Sequence, residues 1–171
     1  MTAYVALGFM AVLGLPQAQD RPPPPGTEIR FQAQALDGKV VRSDSLKGRP
    51  TLLALWGTWS PQSARSLEVV RGMQEKFGKR GLQVVALACW DTEASVSAFK
   101  RENPKLKFEF WWDPAARDTS ASIAVKTFKT RRFPTFYVLD RNVRVVQGFV
   151  GFKPKDTASL EAAIEGALRP G

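Results

Sequence analysis

The chain has 171 residues, 44% of them hydrophobic and 24% charged, an ordinary composition for one globular domain with a substantial core. A single cysteine and a complete lack of histidine exclude an intramolecular disulfide, a Cys/His zinc site and any serine-histidine or cysteine-histidine nucleophile pair. The net charge of +9 favours encounter with acidic partners or anionic surfaces, but the basic residues are spread along the chain and form no nucleic-acid motif, so no nucleic-acid partner is expected.

Thr2 to Leu15 is almost wholly apolar and too short to span a bilayer as a helix. It reads as the hydrophobic core of a secretory signal over residues 1–18, with Ala18 as the cleavage residue, although no Lys or Arg precedes it and Pro16 sits where a small residue is usual. An uncleaved leader is the competing reading and would be the chain's one membrane anchor. Residues 19–27 form a proline-rich linker, in which Pro22 to Pro25 favour an extended polyproline II spacer without ladder hydrogen bonds. The folded domain is expected over residues 28–171.

Glu28 to Ala35 and Val40-Val41 flank an Asp37-Gly38 turn and predict a β-hairpin. A short turn or helix over Ser43 to Gly48 follows, and then Thr51 to Trp56, a continuous apolar run suited to a strand covered on both faces. Ser60 as N-cap and Pro61 just inside predict a helix from about Pro61 to Lys79, with Leu67, Val70, Met73 and Phe77 on its buried stripe. Leu82 to Cys89 is the next buried strand. Two such strands joined by a helix form a βαβ unit, so Ser60 and Cys89 should share one rim of the sheet. A helix from Glu93 to Glu102, a strand from Phe108 to Trp112, a helix from Thr119 to Phe128, a hairpin of Thr135 to Leu139 with Val143 to Val150, and a helix from Thr157 to Leu168 complete the prediction.

Local strings sharpen this order. Leu36-Asp37-Gly38-Lys39-Val40-Val41 and Ser45-Leu46-Lys47-Gly48-Arg49-Pro50, then Leu55-Trp56-Gly57-Thr58-Trp59 and Phe133-Pro134-Thr135-Phe136-Tyr137-Val138-Leu139-Asp140, resemble the TlpA/ResA-like branch of exported thiol-disulfide oxidoreductases. The resemblance implies an α/β thioredoxin fold with an N-terminal β-hairpin, a central helix-strand insertion and a mixed sheet flanked by helices. By the same correspondence Ser60 and Ser63 fall on the two cysteines of the family's W-C-P-P-C motif, Gln62 replaces its second internal proline, Gly57 stands where alanine is common, and Pro134 falls on the cis-proline. A thiolate attacks and a second thiol resolves in that chemistry, whereas a serine hydroxyl can do neither near neutral pH.

The resemblance therefore implies a redox-inactive domain, exported to the periplasm or cell envelope, with a degenerate site and no catalytic residue, metal or cofactor. Its retained groove would be lined by Trp59, Ser60, Gln62, Ser63, Phe133 and Pro134. Trp56, Trp59 and Trp90 map near the same strand ends and could floor it, and Lys126, Lys129, Arg131 and Arg132 would form a basic rim that selects a protein or peptide segment of acidic character. Two alternatives are an oxidoreductase in a serine-substituted form and a one-cysteine peroxidase-like domain using Cys89, although a free cysteine more often packs as a small hydrophobe. The sequence itself sets no oligomeric state.

Overall fold

The computed structural model describes residues 21–115 and 120–169, so the expected leader lies outside the described residues. Seven strands form one mixed sheet in the order β2-β1-β5-β4-β3-β6-β7. They are β1 (Gln32–Ala35), β2 (Val40–Arg42), β3 (Thr51–Trp56), β4 (Gln83–Ala88), β5 (Glu109–Trp112), β6 (Thr135–Leu139) and β7 (Val145–Val150). The helices are α1 (Pro61–Phe77), α2 (Glu93–Glu102), α3 (Ile123–Lys126) and α4 (Thr157–Leu168). β3, β4 and β5 run parallel, while β1 pairs antiparallel with β2 and β5, and β6 with β3 and β7. This is the expected thioredoxin fold, with its N-terminal hairpin and its inserted α2 and β5.

The central strands are buried on both faces, as their unbroken apolar runs require. Their two-residue period splits the core. Leu52, Ala54 and Trp56 pack with Leu67, Val70 and Phe77 of α1, Val96 of α2 and Leu160 and Ile164 of α4. Leu53 and Leu55 face the other way, onto Ile123, Ala124, Phe128, Tyr137 and the N-terminal Ile29. Trp56 therefore lies under the helices against Phe99 and Phe110, and takes no part in an aromatic floor at the rim.

α1 begins where expected, with Ser60 in extended conformation accepting the Ser63 N–H at 3.3 Å and Pro61 in the first turn. It ends at Phe77 rather than Lys79, because Gly78–Arg80 tightens into a 3-10 turn that the left-handed Gly81 terminates. The helix expected from Thr119 to Phe128 is much shorter. α3 starts only at Ile123, whose N–H is held by the buried Asp113 carboxylate at 2.6 Å, and residues 116–119 lie outside the described residues. The linker does not stay free to its end either: Gly26 N–H donates to the Val145 carbonyl at 2.7 Å, and Val145 N–H to that of Thr27 at 2.9 Å, so the strap at the edge of β7 starts before Glu28. Among the described residues no helix is long and apolar enough to cross a membrane.

The α1 stripe holds the helix on the sheet by apolar burial, and Leu67 is fully enclosed in it. Leu67→Ala should lower stability by about 2–5 kcal/mol, the range for a truncated core leucine. Urea unfolding followed by far-UV circular dichroism measures this, and a loss under about 0.5 kcal/mol, as for a surface substitution, would contradict the placement.

Candidate functional site

Parallel pairing carries β3 and β4 to a common end, where Trp56 pairs with Ala88 and the Cys89 N–H continues the ladder to the Trp56 carbonyl at 2.8 Å. From this rim the chain turns through Gly57, Thr58 and Trp59 into α1. The turn is held by Asp91, whose carboxylate accepts the Thr58 N–H at 2.6 Å and the Thr58 hydroxyl at 3.0 Å. Trp59 folds back over the turn and donates its indole N–H to the Cys89 carbonyl at 3.1 Å. That conformation depends on Gly57, because a Cβ there would stand 2.3 Å from the Trp59 Nε1. The departure from alanine at this position thus has a steric reason.

Ser60 and Ser63 keep a hydrogen-bonded geometry. Ser60 Oγ caps the helix, and Ser63 Oγ accepts the Gly57 N–H at 3.3 Å. Ser60 is half-buried, but Ser63 is fully buried under the turn and cannot line a groove, contrary to the expectation. It sits at the third helical position with its side chain turned inward. Gln62, one position earlier, is exposed and lines a cleft of about 390 Å3 with Pro134 at its base.

On the other side of the turn Trp59, Trp90 and Phe133 form a triad. The two indoles stack at 5.9 Å and 21°, and the Phe133 ring stands edge-on to both, 5.6 Å from Trp59 and 5.0 Å from Trp90. Trp90 has a backbone φ of 58°, a strained value for an aromatic residue. It is held there by a chain of hydrogen bonds: its indole N–H donates to Ser122 Oγ at 3.1 Å, and Ser122 donates to Asp113 at 3.1 Å. Asp113 also accepts the N–H groups of Ala115 and Ile123, so its buried carboxylate is met by donors on both oxygens. Sequence reasoning missed Asp91, Asp113 and Ser122. The one signal available was position, since Asp91 and Asp113 closely follow the rim ends of β4 and β5.

The Phe133–Pro134 peptide is cis and fastened from both sides. Thr135 Oγ1 donates to the Arg132 carbonyl at 2.7 Å, and the Phe152 N–H donates to the Pro134 carbonyl at 2.8 Å. Lys126, Lys129, Arg131 and Arg132 are all exposed along the approach to this peptide, and Lys129 adopts a left-handed backbone. The structure therefore gathers Trp59, Ser60, Gln62, Phe133 and Pro134 around one loop pair and leaves Ser63 beneath it.

Cys89 is fully buried, with Sγ 3.7 Å from the Leu87 carbonyl. Burial pushes its thiol well above the usual range, and the nearby Asp113 and Asp91 carboxylates add to this. Enclosure in the neutral form counts against a peroxidatic role for this thiol. Among the described residues no group of three or more His, Cys, Asp or Glu could hold a metal ion. With serine at both motif positions, the site can hydrogen-bond and bury, but cannot pass electrons through a disulfide.

Two outcomes follow from this geometry. Gly57→Ala should displace the Trp59 indole and increase acrylamide quenching of tryptophan fluorescence, whereas the same change in a Trp59→Phe background should leave quenching unaltered; equal responses would refute the steric account. For Cys89, the unfolded thiol ionises above about pH 8.5 while the folded one stays neutral, so its contribution to stability is complete below that pH and declines above it. The stability gap between the wild type and Cys89→Ala should therefore narrow from about pH 8.5 to about pH 10 in urea titrations, and a constant gap would refute the raised pKa.

Comparison with known proteins agrees with the geometry. Residues 26–147 match the AhpC/TSA family model. A thiol-disulfide oxidoreductase ResA of Bacillus cereus is 28% identical over 126 residues, 74% of this chain and 69% of that one. Its Bacillus subtilis (strain 168) counterpart is 22% identical over 121 residues, 71% and 64% of the two chains. A structure assigned as thiol:disulfide interchange protein DsbE from Chlorobium tepidum superposes with a TM-score of 0.73 at 27% identity, covering 86% of this chain and 99% of that one. The peroxidoxin BcpB of Mycobacterium tuberculosis shares the fold, with a TM-score of 0.68 at 16% identity over 86% and 99% of the chains. With a family match over most of its length and the thioredoxin site geometry around Ser60 and Pro134, the chain belongs to the AhpC/TSA family of redoxins and is a relative of ResA.

Proposed function

We propose that this protein is an exported, redox-inactive thioredoxin-like domain that holds an extended segment of another protein in the groove beside Pro134. The observation that carries the reading is the pairing of an intact scaffold with absent thiols. Ser60 caps α1 and Ser63 bonds under the turn, the loop between them and the Trp59, Trp90 and Phe133 triad are held by specific hydrogen bonds, and the one cysteine in the chain is enclosed. Selection for redox turnover would require the thiols first; the scaffold without them retains a surface.

In this reading residues 1–18 act as an export signal and residues 19–27 as a short tether, placing the domain in the periplasm or cell envelope. Trp59, Ser60, Gln62, Phe133 and Pro134 make the surface. An extended partner would pair its backbone beside the cis-proline, a form of strand addition, while the exposed Lys126, Lys129, Arg131 and Arg132 draw in carboxylates. Tryptophan and arginine suit this role, as both are enriched among residues that dominate binding energy.

Insulin-disulfide reduction and partner capture test the two halves. The wild type should show no turnover above buffer, and Ser60→Cys combined with Ser63→Cys should introduce turnover; activity in the wild type would overturn the redox-inactive reading. A photocrosslinker placed at Gln62 should capture a defined set of envelope proteins, and reversing the charge at Arg131 and Arg132 together should reduce that set's yield several-fold. Unchanged yield would remove the basic rim from the binding surface.

A further inference from the structure

At the end of the sheet opposite the rim, β3 and β4 begin and β6 stops: Thr51 of β3 stands level with Gln83 of β4 and Leu139 of β6. The stretches before β3, after α1, before β5, after β6 and after α4 meet there and are joined by hydrogen bonds. The Gly48 N–H donates to the Arg141 carbonyl at 2.8 Å, Arg49 donates to the Gln83 side chain at 3.0 Å, and the Arg141 guanidinium donates to the Arg169 carbonyl at 3.1 Å. Arg80, just past α1, pairs with Glu165 of α4 at 2.7 Å, and the Gln74 side chain of α1 donates to the Lys107 carbonyl at 3.4 Å.

This end is strongly basic. Arg49, Lys79, Arg101, Lys105, Lys107 and Arg169 are all exposed, and among the described residues none of them has a carboxylate partner. Most acids nearby are engaged: Asp44 pairs with Lys47, Glu161 with Lys76 and Glu165 with Arg80, each at 2.7 Å, and Asp140 accepts the Asn142 N–H at 2.8 Å. Glu102 and Glu109 are the exposed carboxylates left beside the six cations. The cations have no apolar anchor among them, since the exposed large hydrophobics of the described residues, Val40 and Trp59, lie on the edge strand β2 and at the rim. The core of a protein interface is apolar and poor in lysine, whereas a layer of anionic headgroups asks only for a broad basic surface. The path of the chain favours the same partner. Gly26 and Thr27 bond to Val145 at the start of β7, whose neighbour Leu139 stands at this end, so the segment that carries the apolar run Thr2 to Leu15 joins the domain here.

We propose that this basic end is a docking surface for an anionic phospholipid bilayer, which it meets through Arg49, Lys79, Lys105 and Lys107, leaving the rim of Ser60 and Pro134 facing away from the membrane. The attraction acts within about a Debye length, roughly 8 Å at physiological salt, so it holds the domain only when this end lies on the lipid surface. It is independent of what the rim binds.

The test uses the full chain in co-sedimentation with vesicles of phosphatidylcholine alone or mixed with phosphatidylglycerol. The mixed vesicles should be bound about tenfold or more tightly, and the excess should fade as salt rises. Binding to the neutral vesicles, which the apolar run Thr2 to Leu15 can supply, is the baseline for every variant. Lys79→Glu with Lys105→Glu and Lys107→Glu should abolish the excess, whereas the same change of charge at the opposite end, Arg65→Glu with Lys153→Glu and Lys155→Glu, should alter it less than about twofold, both sets being checked for native circular dichroism. On the otherwise unaltered chain, a dye attached through Asn142→Cys should be quenched by a lipid-borne quencher and one attached through Gln62→Cys should not, since Cys89 is enclosed and stays unlabelled. Equal binding of the two kinds of vesicle, an excess that survives in the Lys79 set or falls equally in the Arg65 set, quenching at Gln62 rather than at Asn142, or tighter binding of soluble polyglutamate than of the mixed vesicles would each overturn the proposal.

Discussion

The parallel pairing of β3 with β4 is the constraint on which the site depends. Six consecutive residue pairs hold the two strands in register, and the ladder runs one bond further, to Cys89. Because α1 connects them, both strands finish at the rim where α1 begins. The turn into α1 and the residues after β4 are thereby forced into contact, and the bonds from Thr58 to Asp91 and from Trp59 to the Cys89 carbonyl are short-range consequences of that placement. β6, antiparallel on the other side of β3, delivers Pro134 to the same rim.

The rim is polar underneath and aromatic above. Backbone N–H groups freed by the Gly57 to Ser60 turn meet side-chain oxygens of Asp91 and Ser63, and the Asp113 carboxylate organises the start of α3 while orienting Trp90 through Ser122. Buried polar atoms of this kind are costly unless paired, so each pair narrows the conformations open to the loops. Serine serves that purpose as well as cysteine and accepts hydrogen bonds better. Serine at both motif positions therefore keeps the hydrogen-bonded scaffold in place, and Gly57 allows Trp59 to close down on the turn.

Electrostatics give the surface its direction. The chain's positive charge is spread over the whole sequence, yet Lys126, Lys129, Arg131 and Arg132 lie exposed together on the approach to Pro134. In the proposed binding role these residues meet a partner's carboxylates.

The amino-acid sequence by itself determined the elements and their order. Apolar runs in β3, β4 and β6, the Ser60-Pro61 helix start and the Asp37-Gly38 turn are local patterns whose hydrogen bonds close within the element or between near neighbours, and Ser60, Ser63 and Pro134 were legible by position in a familiar motif. Only tertiary structure decided which of them faces outward. Ser63 turned inward and Trp56 went beneath the helices because side-chain direction at a helix start and a strand end is set by what packs against it. Asp91, Asp113 and Ser122 gained their roles from partners 33, 10 and 32 residues away in the chain, at Thr58, Ile123 and Trp90. The shortened α3 has the same origin: its first N–H is claimed by a carboxylate brought in by β5, an interaction that no local periodicity encodes.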